Sequence, residues 1–132
     1  MVSWNNLDTL SSYKELADVK PACLTEVMSG DNGAERVKNY SVPMAAGLSY
    51  NYASKQVNEN VLAALEKLAD EAQLADKFKA LYNGEVVNTG EKRLVLHHMT
   101  RGQLGDAVEA DGVDKRTFYK TQQERIAEFA NK

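Results

Sequence analysis

Tyr82-Asn83-Gly84-Glu85-Val86-Val87-Asn88-Thr89-Gly90-Glu91-Lys92-Arg93-Leu94-Val95-Leu96-His97-His98-Met99-Thr100-Arg101 is the stretch on which the reading of this chain turns. Gly84 after Asn83 suits the left-handed residue that closes a helix, because it has no Cβ to clash there. Thr89 offers a side-chain oxygen to the free N–H groups of a following helix start, and Glu91 stands near that positive end. The stretch therefore reads as a helix end, a short extended link and a new helix. Leu94, Val95 and His98, or Leu96 and Met99, would face inward from it. Both histidines of the chain lie here, together with Lys92, Arg93 and Arg101.

Upstream, Leu74, Phe78, Leu81 and Tyr82 form the stripe of the helix that Gly84 ends. Before it, Asn58 caps a helix whose buried stripe is Val61, Leu62, Leu65, Leu68 and Ala69. Between residues 40 and 52 the period changes to two. Val42 and Met44, then Leu48, Tyr50 and Tyr52, alternate as half-buried strands do, with Ala45-Ala46-Gly47 as the link of a hairpin. Pro43 makes this an edge. Nearer the start, Leu7, Leu10, Tyr13, Leu16 and Val19 mark an amphipathic helix, and Pro21 opens a shorter one carrying Leu24, Val27 and Met28. Gly30-Asp31-Asn32-Gly33 reads as a breaker, leaving at most a turn or two of helix from Ala34 to Asn39. Downstream, residues 102–112 read as a loop, and Asp114 caps a last helix over about 114–130 bearing Phe118, Tyr119, Ile126 and Phe129. The sequence thus predicts a mainly α fold with one small β-hairpin at about 40–52, in a single domain over 1–132.

The 132 residues are enough for a core, and 43% hydrophobic with 27% charged is an ordinary globular composition. A net charge of −3 argues against a dedicated nucleic-acid binder. That leaves a helix-turn-helix use of Lys92, Arg93 and Arg101 as a weak third reading. The lone Cys23 excludes an internal disulfide, fits a reducing compartment and reads as a small buried hydrophobe. With neither a bilayer-length apolar run nor a signal peptide, the expected location is the cytoplasm and no membrane partner is expected.

No candidate catalytic, cofactor-binding or metal residue emerges. Adjacent His97 and His98 cannot imitate the i, i+4 spacing of helical metal ligands, and nothing local makes either a general base. Lys92, Arg93, Arg101 and Lys55 could bind phosphate, but pairing with Glu85, Glu91 and Asp106 is the favoured fate. Neither Gly84-Glu85 nor Thr89-Gly90 makes a phosphate cradle.

Asn83-Gly84-Glu85, Asn88-Thr89, and Arg93-x-Val95-Leu96-His97 with Arg101 four residues on resemble the N-terminal region of the glucose-6-phosphate isomerase family. That region reads Phe-x-Gly-Glu-x-Ile-Asn-x-Thr-Glu-x-Arg-Ala-Val-Leu-His-x-Ala-Leu-Arg. Gly90-Glu91-Lys92 is one residue longer than the family's Glu-x, and Leu94 replaces Ala. Tyr50-Asn51-Tyr52-Ala53-Ser54-Lys55 is similar to the family's Asp-Tyr-Ser-Lys-Asn, with an insertion.

The resemblance implies the N-terminal helical part of an α/β sugar-isomerase-type enzyme. In that family glucose 6-phosphate and fructose 6-phosphate are interconverted without cofactor, through a cis-enediol and with a glutamate as base. The Asn-Ile-Gly-Ile-Gly-Gly-Ser run that opens the family's α/β domains does not occur in these residues. The resemblance thus implies an isomerase parent but a chain that is itself a packing module without turnover. The implied partner is the remainder of the isomerase polypeptide, with sugar phosphate bound only by the longer enzyme, and the apolar stripes, that of Phe118, Tyr119, Ile126 and Phe129 above all, predict that a second copy of the chain covers them. The alternative from another class is a free-standing helical protein-interaction domain.

Overall fold

Gly84 has φ of +71°, as its place past a helix end demands. The helix it closes is α5 (Leu74–Tyr82). The Glu85 N–H donates to the Ala80 carbonyl at 3.0 Å and the Gly84 N–H to Leu81 at 3.2 Å, the paired bonds of a Schellman ending. A Cβ on Gly84 would also lie 2.2 Å from Cγ1 of buried Val108, so close approach adds a second reason for glycine.

The computed structural model describes residues 2–102 and 105–131. The fold is mostly helical with small antiparallel strand pairs. It divides into two compact units, residues 6–71 and residues 72 onward with the first five.

In the first unit a 3₁₀ turn at Leu7–Thr9 leads into α1 (Ser11–Asp18), α2 (Leu24–Val27) and α3 (Gly30–Asn39). β1 (Ser41–Pro43) and β2 (Ser49–Asn51) then pair, Val42 opposite Tyr50, and α4 (Glu59–Glu71) follows. Asn58 caps α4 as its position suggests, its side-chain oxygen accepting from the Val61 N–H at 2.9 Å. The break falls at Gly30 alone, where φ is +59° between the end of α2 and the start of α3; Asp31, Asn32 and Gly33 are helical, so α3 starts earlier than the expected Ala34. Gly33 is buried, and a Cβ there would meet the Met28 carbonyl oxygen at 2.4 Å. Its glycine serves close packing of α2 against α3, which local propensity cannot reveal.

α1 lies along α4, and the end of α4 caps its start. The Glu71 carboxylate accepts from the backbone N–H and hydroxyl of both Ser11 and Ser12, the Ser12 N–H at 2.8 Å and the Ser11 hydroxyl at 3.0 Å. These donors are the unsatisfied N-terminal groups of α1, so a remote acid does the work of a local cap. Within the expected stripe of α1, Leu10, Leu16 and Val19 are half-buried while Leu7 and Tyr13 are exposed. Cys23 is exposed rather than buried, because at the start of α2 it is neighbouring Ala22 that turns inward.

The second unit holds α5, then β3 (Val86–Asn88) with β4 (Arg93–Leu94), a 3₁₀ turn at His97–Thr100, β5 (Glu109–Ala110) with β6 (Val113–Asp114), and α6 (Lys115–Ala130). The new helix expected from Thr89 does not form. Asn88 acts instead of Thr89: its side-chain oxygen accepts from the Glu91 N–H at 3.1 Å and closes a turn. Lys92 then takes φ of +53°, which reverses the chain into β4. One hairpin becomes three, because the expected loop at 102–112 also pairs through β5 and β6; residues 103 and 104 of that loop lie outside the described residues. Leu96, Met99 and Val108 form the core, with Leu94 and Tyr119 against it. Asp114 caps α6 through the N–H groups of Arg116 and Thr117. The Thr117 hydroxyl bond, and then those N–H groups, hold the Asp114 carboxyl below its ordinary range.

Two outcomes test these contacts. Gly84→Ala should cost about 2–3 kcal/mol in urea denaturation, since left-handed strain and the Val108 clash act together; an unchanged midpoint would refute the clash. The Glu71 carboxyl is held down from 4.5 to about 2, first by the Ser12 hydroxyl, then the Ser12 N–H and the Ser11 groups. A depressed folded pKa means its contribution is complete above pH 4.5 and is lost as pH falls toward 2. Thermal midpoints of wild type and Glu71→Gln should therefore differ most near neutrality and converge in acid; parallel curves would disprove it.

Candidate functional site

A 3₁₀ helix has three residues per turn, so side chains three apart eclipse one another. The turn at His97–Thr100 therefore brings the backbone positions of His98 and Arg101 into line, and the Arg101 N–H donates to the His98 carbonyl at 3.0 Å. His97 falls on a different side and is exposed, its carbonyl accepting the Thr100 hydroxyl at 2.8 Å. The His98 ring lies against Tyr82 of α5, centroids 4.6 Å apart and planes 32° from parallel. Tyr82, His97, His98, Arg101 and Gly102 line a cavity of about 300 Å³. Buried His98 Nε2 has no hydrogen-bond partner.

The other basic residues go elsewhere. Arg93 reaches Glu91 at 3.7 Å, a weak exposed pair. Lys92 and Arg93 border a second cavity of about 420 Å³ with Leu94, Lys115 and Phe118. Lys55 belongs to the first unit, at an apolar hollow with Tyr50, Tyr52 and Leu62. Of the expected pairings only Arg93–Glu91 forms among the described residues; Lys55, Lys92 and Arg101 have no ion pair there, and Asp106 offers its carbonyl, not its carboxylate, to Arg116. Among the described residues no three His, Cys, Asp or Glu side chains converge as a metal site would require.

Tyr82 is held from behind by a residue the sequence did not single out. Buried Arg116 donates from Nη2 to the Tyr82 carbonyl at 2.8 Å and from Nε to the Asp106 carbonyl. It ties the end of α5 to the segment before β5. No local signal marks it, since its partners lie 34 and 10 residues away. Arg116→Ala should cost about 3 kcal/mol, because two carbonyls lose a charged donor inside the fold. Arg116→Lys should recover less than half, as one ammonium cannot span both oxygens. Urea denaturation of the two variants measures this, and full rescue by Lys would refute the fork geometry.

The model of the family described as phosphoglucose isomerase matches residues 51–132. The chain is also similar to the glucose-6-phosphate isomerase of Treponema denticola, 43% identical over 98% of this chain and 26% of the relative. That of Borreliella afzelii is 42% identical over 98% of this chain and 24% of the relative. That of Shewanella woodyi is 37% identical over 82% of this chain and 19% of the relative. The chain spans about a quarter of the length of the first two relatives. With Gly84, Asn88, Arg93, His97 and Arg101 inside the matched region, the chain belongs to the phosphoglucose isomerase family.

Proposed function

We propose that this chain is the N-terminal helical part of a cytoplasmic glucose-6-phosphate isomerase, acting as a packing module for the α/β body that carries the chemistry. The observation that carries this reading is the area the chain leaves exposed, 10179 Å². Two fully separate compact domains, each of half its mass, would together expose only about 8,300 Å² by the usual size scaling. The two units taken together are thus under-covered, however they are arranged. Among the described residues the only large side chain fully buried is Met99; the rest of the core is mostly alanine. Meanwhile Leu74 and Phe78 of α5, and Phe118, Ile126 and Phe129 of α6, stand 46–80% exposed. On α6 these last three fall within about 80° of one another around the axis, a single face.

The parent reaction is the interconversion of glucose 6-phosphate and fructose 6-phosphate, within glycolysis and gluconeogenesis. By itself the chain supplies neither the carboxylate base nor the phosphate loop that this chemistry needs. Its partners are the remaining isomerase polypeptide and, when that is missing, a second copy meeting through the same apolar face. A net charge of −3 argues against nucleic acid, and no described helix is long and apolar enough to cross a membrane.

The test mixes the purified chain with the Treponema denticola relative from which the matching segment has been deleted. The expected result is a stable complex by sedimentation, weakened about tenfold or more by Phe118→Asp with Phe129→Asp. The chain alone should give no turnover of fructose 6-phosphate in a coupled assay. Turnover proportional to added chain would overturn the module reading, and so would a strict monomer that ignores the truncated relative.

A further inference from the structure

The hollow of about 420 Å³ beside β4 and the first turns of α6 has a floor and a rim of opposite kinds. Its floor is apolar: Leu96 is buried, Leu94 is half-buried and Phe118 stands exposed at its side. Its rim is cationic. Lys92 and Arg93 come from the hairpin and Lys115 from α6, with Asp111 as the one acid among the described lining residues. Local pairing leaves the rim largely unneutralised. Arg93 meets exposed Glu91 only at 3.7 Å, and Lys115 meets Asp111 at 3.3 Å through a carboxylate that is 91% exposed. Pairs open to water in this way are worth little. Lys92 has no ion pair among the described residues. The Lys115 side chain is only 22% exposed, as that of a lysine laid along an apolar wall is. A chain of net charge −3 thus gathers three cations around one apolar hollow.

We propose that this hollow docks an acidic and apolar segment of the remaining isomerase polypeptide, with an apolar side chain on Leu94, Leu96 and Phe118 and carboxylates on Lys92, Arg93 and Lys115. This rests on the packing role and gives the covering segment a charge and a place. Phe118 belongs both to the hollow and to the exposed face of α6, so the two surfaces are continuous. Most of the polypeptide of the Treponema denticola and Borreliella afzelii relatives lies outside the matched part, which leaves ample chain to supply the segment. A second copy is the poorer occupant. At about 100° per residue, Lys115 and Gln122 fall among Phe118, Ile126 and Phe129 on the α6 face and Arg125 lies beside it, while Glu124 and Glu128 lie about 80° or more outside it. Two such faces would set cation against cation, whereas an acidic segment meets both the face and the rim with the opposite charge.

The test titrates the full chain with overlapping synthetic peptides that cover the part of the Treponema denticola relative outside the match. Methyl and ring NMR signals of Leu94, Leu96 and Phe118 are followed. The expected result is saturable movement by a peptide whose apolar residues are flanked by Asp or Glu, with binding that weakens as salt is raised. Lys92→Glu with Arg93→Glu, both exposed, should weaken binding about tenfold or more, and Lys92→Gln with Arg93→Gln by less. Equal binding by neutral or basic peptides, binding unaltered by the charge reversal, or the absence of any peptide that moves these signals would each overturn the proposal. Movement of the same signals on concentrating the chain alone would assign the hollow to a second copy, and would overturn it too. The packing role fails separately. A truncated relative that ignores the chain while an acidic peptide still binds would count against packing and not against the chemistry of the hollow. A stable complex with that relative, indifferent to salt and to both charge variants, would sink the acidic segment and leave packing standing.

Discussion

A guanidinium whose partners are main-chain carbonyls holds each unit of this chain. In the first unit Arg36 of α3 donates from Nε to Ala53 at 2.8 Å and from Nη2 to Lys55 at 3.0 Å and Val57 at 2.8 Å. Its Cζ lies 4.0 Å from the centre of the Tyr40 ring. The link between β2 and α4 has no ladder to satisfy its carbonyls, and one rigid fork satisfies three of them at once. Arg116 does the equivalent work for the end of α5 and the segment before β5. Neither arginine has an acidic partner among the described residues, so both cations are stabilised by backbone dipoles and, at Arg36, by an aromatic face.

These polar hubs matter because the apolar core is thin. Ala22, Ala53 and Ala64 are the buried hydrophobic residues of the first unit, and Ala72 and Ala80 join Leu96, Met99 and Val108 in the second. Alanine lets backbones approach closely but buries little area, hence little transfer free energy. Directional contacts consequently set much of the geometry: two arginine forks, the Glu71 clamp on α1, and the caps at Asn58 and Asp114. Large side chains that would ordinarily fill a centre are displayed instead. Val42, Tyr50 and Leu65 are 40–48% exposed around the hollow between the first hairpin and α4.

What was legible in the sequence was local chemistry. The Gly84 ending, the Asn58 and Asp114 caps and the hairpin joined at Ala45-Ala46-Gly47 each follow from residues within a turn or two of one another, while Leu96 and Met99 were one of two inward sets left open. The contacts that were not legible join residues far apart: Glu71 with Ser11 and Ser12, Arg36 with the 53–57 link, Arg116 with Tyr82, and Gly33 against the Met28 carbonyl. Gly33 shows the difficulty well. A glycine that breaks a helix and one that lets another backbone come near are identical as letters. Of the candidate site, the residue types were visible but not their convergence. His98 and Arg101 were two features of an expected α-helix, while Tyr82 belonged to the helix before it.

The failed helix at Thr89 explains how that convergence arises. Asn88 and Thr89 can both accept a bond from an N–H two or three residues ahead, and either an α-helix or a turn satisfies such an acceptor. Here the turn wins: the Asn88 side chain accepts from the Glu91 N–H, and Lys92 enters the left-handed region. The register between β3 and β4 shifts between Val86 and Asn88, where β3 carries one residue more than its partner. A chain reversed there cannot continue as a helix, since its next residues must pair with Val86 and Asn88. Helical geometry resumes only at His97, with four residues left for it, and short pieces of that kind adopt the tighter 3₁₀ form. That tightening aligns residues three apart, and the turn in this way brings His98 and Arg101 to one cavity with Tyr82.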